Sequence, residues 1–115
     1  MKQFMFLYKG GNPDWATTAS AEEREAVMAK WGSWLESLGA QGKLVAGGSP
    51  LAYEGKTLTK DGVVTDISAS EVKELVSGYS IVKSESYAEA IEIARGCPIF
   101  LHEGAHLEVR EVVIM

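Results

Sequence analysis

The chain has 115 residues and a net charge of −5 at pH 7, a length that suits one domain spanning residues 1–115. A domain of this size buries roughly 65% of its unfolded surface, enough for a single core. The acidic balance argues against a nucleic-acid backbone or an anionic membrane surface as partner, and no stretch approaches the length of a membrane span. Cys97 is the only cysteine. It excludes an intrachain disulfide and points to a reducing, cytoplasmic setting.

The opening MKQFMFLYKGG is not read as a signal peptide, because its apolar run, Phe4 to Tyr8, is too short and Gly-Gly-Asn-Pro-Asp follows at once. Lys2 to Tyr8 reads as a buried strand instead. Gly10 to Ala19 reads as a loop holding Trp15. Ser20-Ala21-Glu22-Glu23 is a capping-box pattern, a hydroxyl followed three residues on by a carboxylate. Val27, Trp31, Trp34, Leu35 and Leu38 follow at helical spacing on one face, and Gly39 and Gly42 stop the helix.

Lys43 to Ser49 is a second strand candidate, ended by Pro50. Thr57-Leu58-Thr59 and Val63-Val64-Thr65 flank Lys60-Asp61-Gly62, and Asp-Gly is a strong hairpin signal. An acidic turn is expected from Ser68 to Leu75. Ser77 to Lys83 is a strand with Tyr79, Ile81 and Lys83 on one face and Ser80 and Val82 on the other. Ser86-Tyr87-Ala88-Glu89 is a second capping box. Ala90, Ile91, Ile93 and Ala94 supply the apolar face of its helix, and Gly96-Cys97-Pro98 ends it. Ala105 to Met115 is the last strand. Its Leu107, Val109, Glu111 and Val113 face one way, opposite His106, Glu108 and Arg110.

The order β-α-β, hairpin, β-α-β is the ferredoxin-like α+β plan, with an antiparallel sheet and an inserted hairpin. Two helices cover only one face of such a sheet, and packing of two sheets in a homodimer would cover the other.

Several residues stand out as candidates for chemistry. Asp66 lies where a strand gives way to a turn. It either caps the following turn or, among apolar neighbours such as Val64 and Ile67, moves a proton in a cleft. Trp31 and Trp34 either fill the core or wall a pocket for an aromatic ligand. Tyr79 offers a hydroxyl to a ligand or to a protein partner. Arg110, alternating with His106 and Glu108, either joins an ion network or anchors an anionic ligand through its planar guanidinium. His102 and His106 are four apart, but Gly104 lies between them and no third ligand has convincing spacing, so no metal is expected. Cys97, at a helix C-terminus, reads as structural. No phosphate-binding loop or nucleophile elbow is present, and no cofactor is demanded.

Taken in order, MKQFMFLY, GAQGKLVAGGSPL, KDGVVTD, SEVKE, SGYSIV, AEAIEIARGCP and LEVREV resemble the YCII-related family, in particular its DGPF-type branch. The resemblance implies a dimeric α/β barrel of two ferredoxin-like subunits, each with a small cleft between sheet and helices. Some members resemble lyases or dehydrochlorinases of aromatic compounds, and others are fused to sigma-factor domains. Where the branch carries Asp-Gly-Pro-Phe, this chain has Asp66, Ile67, Ser68 and Ala69. Where other members carry a helix histidine proposed to act with an aspartate, this chain has Trp31, which is no base at neutral pH. Two functions follow as expectations. One is a small-molecule binding or regulatory homodimer. The other is a cofactor-free lyase or isomerase of a small aromatic or acidic metabolite, with Asp66 as its proton-transfer group.

Overall fold

The computed structural model describes residues 1–67 and 74–115. Strand β1 (Lys2–Lys9) leads through a one-turn helix α1 (Trp15–Thr18) to the long helix α2 (Ala21–Ala40) and strand β2 (Leu44–Ala46). The hairpin β3 (Lys56–Leu58) and β4 (Val64–Asp66) follows. Strand β5 (Val76–Ser84), helix α3 (Tyr87–Arg95), a 3-10 turn (Pro98–Leu101) and strand β6 (His106–Glu111) complete the order. The main sheet runs β2-β5-β1-β6 with every pairing antiparallel, and β3-β4 forms a separate ribbon. This is the expected ferredoxin-like α+β fold with its inserted hairpin.

Both serines cap their helices. The Glu23 amide donates to Ser20 Oγ at 3.1 Å, and the Glu89 amide donates to Ser86 Oγ at 3.2 Å. Each satisfies one of the orphan N–H groups that every helix start exposes.

Register decides which strand residues meet the helices. Phe4, Phe6 and Tyr8 alternate into the core, opposite Val82, Ser80 and Gly78 of β5 and Glu111, Val109 and Leu107 of β6. Leu38, Ala90, Ala94, Cys97 and Ile99 cover them from above, with Trp31, Trp34 and Ile93 packed at the edges. Phe4 and Phe6 are fully buried, and each such side chain contributes about 1.5–3 kcal/mol by leaving water. The opposite parity, Met5, Leu7, Tyr79 and Ile81, lies on the other face of the sheet, outside the core cluster.

Several expectations need correction. Trp15 is not in a loop but starts α1. The Asp14 amide bonds to Asn12 Oδ1, and the Ala19 amide closes the turn on the Trp15 carbonyl. One turn is too short to leave a periodic signal. Gly39 lies inside α2, and the positive φ falls at Gly42. Ile91 is exposed rather than on the apolar face, since α3 turns Ala90 and Ala94 to the sheet. The second strand is three residues long, and the last strand ends at Glu111, so Val113 to Met115 lie beyond the ladder. Residues 68–73 of the expected acidic turn lie outside the described residues.

Candidate functional site

Where the resemblance implies a cleft between sheet and helix, aromatic rings fill the space. Trp31 meets the Tyr8 ring edge-on with centroids 5.3 Å apart, Trp34 stacks on Phe6 at 6.4 Å, and the two indoles meet at 5.8 Å. Beneath them runs a short buried hydrogen-bond chain. The Tyr8 hydroxyl donates to Ser80 Oγ at 2.7 Å, and Ser80 donates to the Gly47 carbonyl at 2.8 Å. Cys97 lies buried beside Tyr8. Burial drives the Tyr8 pKa far above the usual phenol range, with the neighbouring thiol adding to the effect.

Burial also raises the Cys97 thiol from 9.0 to about 11. The thiol is neutral in the folded chain and ionises more readily once exposed. The stability this confers is therefore complete below pH 9 and is lost as pH rises toward 11. We expect a maleimide to label the native protein very slowly at pH 7.5 and the urea-unfolded protein within minutes. Equally fast labelling of the native state would contradict this placement of Cys97.

The open space lies on the outer side of Trp34. A groove of about 530 Å³ runs between α2 and the segment joining α3 to the 3-10 turn. Ala26, Ala29, Lys30, Ser33 and Trp34 line one wall, recurring at helical spacing along α2. Arg95, Gly96, Pro98, Phe100 and Leu101 form the other wall, with the buried Cys97 at its base. A hollow of about 410 Å³ lies between α3 and β6 and shares Arg95 and Phe100 with the groove.

The predicted site residues fall in three separate places. Trp31 and Trp34 come together as described, and only Trp34 reaches the groove. Tyr79 and Arg110 are on the opposite face of the sheet, where β1 lies between their strands and a Lys9–Glu108 ion pair at 3.3 Å sits beside them. Arg110 approaches Glu108 at 3.6 Å, while the hydrogen bond from Lys9 does most to hold the Glu108 carboxyl below its usual range.

Asp66 is at the end of the hairpin, 80% exposed, with its carboxylate against the Lys56 ammonium. The apolar enclosure expected around it is not found among the described residues, because Val64 and Ile67 are themselves exposed. Its alternative role as a cap involves Ser68 and Ala69, which lie outside the described residues.

His102 packs edge-on against Trp15 at 4.9 Å, and partial burial holds its pKa below the usual value. His106 is exposed at the start of β6. Among the described residues, no group of three or more His, Cys, Asp or Glu side chains could hold a metal ion, and no helix is long and apolar enough to cross a membrane.

Sequence reasoning missed the groove itself. Its one local signal was the stripe of small residues Ala26, Ala29 and Ser33, which leaves room beside Trp34. Its other wall comes from Phe100 and Leu101, distant in sequence and marked by no motif.

A comparison with curated proteins found no match. Among solved structures, the chain is similar to 5-chloro-2-hydroxyhydroquinone dehydrochlorinase from Burkholderia phenoliruptrix AC1100, in complex with 2,5-dihydroxybenzoquinone. The two share 22% identity over 92% of this chain and 90% of that chain, with a TM-score of 0.46. The family model of the YCII-related domain matches residues 4–115, so the chain belongs to the YCII-related family.

Proposed function

We propose that the protein is a small-molecule-binding homodimer whose ligand seats in the groove along Trp34. The observation that carries this reading is the groove itself, which has a volume within the roughly 300–1,000 Å³ of small-ligand sites and two aromatic side chains in its walls. Among the described residues no carboxylate or imidazole lines it, which favours binding over proton transfer as its role. Asp66, the candidate proton carrier, lines neither the groove nor the hollow beside it. A fragment screen followed by ¹⁵N NMR checks the assignment. Shifts should centre on the Trp34 indole and Gly96 amide signals. Shifts centred on Tyr79 and Arg110 would place binding on the other face of the sheet and end this reading.

The dimer reading rests on the face that carries Met5, Leu7, Tyr79 and Ile81, an apolar strip with no helix packed on it among the described residues. Stacking two such faces would bury both strips and leave the grooves free on the outside. Light scattering on a sizing column at micromolar concentration should give twice the 12.4 kDa chain mass. Ile81→Asp should return the single-chain mass with the far-UV spectrum intact. A wild-type monomer would overturn the dimer.

A further inference from the structure

Resting on the groove as the binding site, we infer that its ligand class is a small planar aromatic carboxylate, held by Lys30 and Arg95 against the Trp34 and Phe100 rings. Charge points to an anion. The chain carries 16 acidic and 11 basic residues, yet among the described residues the groove's charged lining is Lys30 and Arg95 alone. Arg95 is exposed, and its Nε donates to Oε1 of the equally exposed Glu92 at 2.9 Å, which leaves its terminal nitrogens toward the groove. Among the described residues its terminal nitrogens hold no partner, and Lys30 makes no ion pair. An anionic group seated between two cations gains charge-assisted hydrogen bonds that a neutral group does not.

Shape points to a flat ring. Phe100 is 53% exposed and Trp34 half-buried, so both offer ring surface to the groove. Ala26, Ala29 and Ser33 keep the opposing helix wall low. A planar aromatic group fits such a slot and covers aromatic surface that water otherwise wets. Gly96 sets the opening next to the indole. A Cβ built there would sit 3.6 Å from Trp34 Nε1, in ordinary contact, and its φ of −89° accepts any side chain. Branched bulk at position 96 therefore closes the slot beside the indole while keeping the backbone relaxed. Tyr79 and Arg110, on the far face of the sheet, take no part in holding this ligand.

The test compares benzoate with its neutral analogue benzamide, following the Trp34 indole and Gly96 signals of the full chain by ¹⁵N NMR. Benzoate should half-saturate these signals at a concentration about tenfold below that for benzamide, equivalent to about 1.4 kcal/mol. Half a molar sodium chloride should shrink the preference, as expected for a partly exposed ion contact. Lys30→Gln should remove most of it while benzamide binding stays as in the wild type. Gly96→Leu should weaken both probes at least tenfold, with signals from β1 and β5 unmoved. Equal binding of benzoate and benzamide would overturn the anion class and leave the groove as a ligand site. If neither probe moves Trp34, or if Gly96→Leu changes nothing, the site itself is wrong. If the groove signals shift with protein concentration instead, the groove is covered by a second copy and the ligand assignment falls.

Discussion

Gly48→Ala should lower the stability of the fold by about 3–4 kcal/mol, more than a surface glycine normally costs to replace. Gly48 is exposed, in the loop after β2, and has a φ of +75°. That left-handed conformation alone disfavours any side chain with a Cβ. Steric overlap adds the greater cost. A Cβ at this position would overlap the Tyr79 carbonyl oxygen and lie 2.6 Å from its carbonyl carbon. Both are backbone atoms of β5, an inner strand, so neither can swing away as a side-chain end would. Relief requires the loop to lift from the strand. Lifting the loop would also strain the bond from Ser80 to the Gly47 carbonyl and the ladder contact between Pro50 and Gly78. Urea unfolding should show a lower midpoint with an unchanged slope. Gly62→Ala is the control. It has a similar φ of +82°, but no atom lies within 4 Å of an added Cβ, so it should cost about 1–2 kcal/mol. If both variants lose the same amount, the overlap with Tyr79 is not the cause.

The contrast between these glycines also shows which parts of the molecule were open to sequence reading. Local signals were legible. Two serines followed by glutamates marked the helix starts, Asp61-Gly62 marked the hairpin, and alternation in β5 and β6 separated the two sheet faces. Each depends on neighbours within about four residues, so the chain itself carries the information. The need for glycine at position 48 does not belong to this class. It arises because β5 brings Tyr79 under a loop some thirty residues earlier, and no local pattern records that approach. The candidate site fared likewise. Trp31 and Trp34 were identified as a pair because they share a helix face. Tyr79 and Arg110 were grouped with them, although the sheet holds them on its far side. Asp66 looked enclosed because Val64 and Ile67 lie close to it in sequence, yet nearness in sequence does not make them cover it, and both are themselves exposed. Phe100, the wall opposite Trp34, followed a helix stop and carried no signal at all.

The buried chain under the indoles leads to the second large effect. Ser80→Ala should destabilise the protein by about 2–4 kcal/mol although it removes a single oxygen. Ser80 is fully buried and serves two partners, accepting from the Tyr8 hydroxyl and donating to the Gly47 carbonyl. Its loss would strand a phenol donor and a backbone acceptor in a site ringed by Phe6, Trp31 and Cys97, where water has little room to replace it. Tyr8→Phe removes the donor itself. Ser80 then keeps its bond to Gly47, so the cost should be only about 1 kcal/mol. The double variant gives the decisive comparison. With no phenol left to strand, adding Ser80→Ala to Tyr8→Phe should cost about 1–2 kcal/mol less than Ser80→Ala costs in the wild type, a coupling that denaturant titration of the four proteins can resolve. Strictly additive losses would mean that the two hydroxyls do not share a bond. The chain would then be two separate polar groups, each satisfied in some other way.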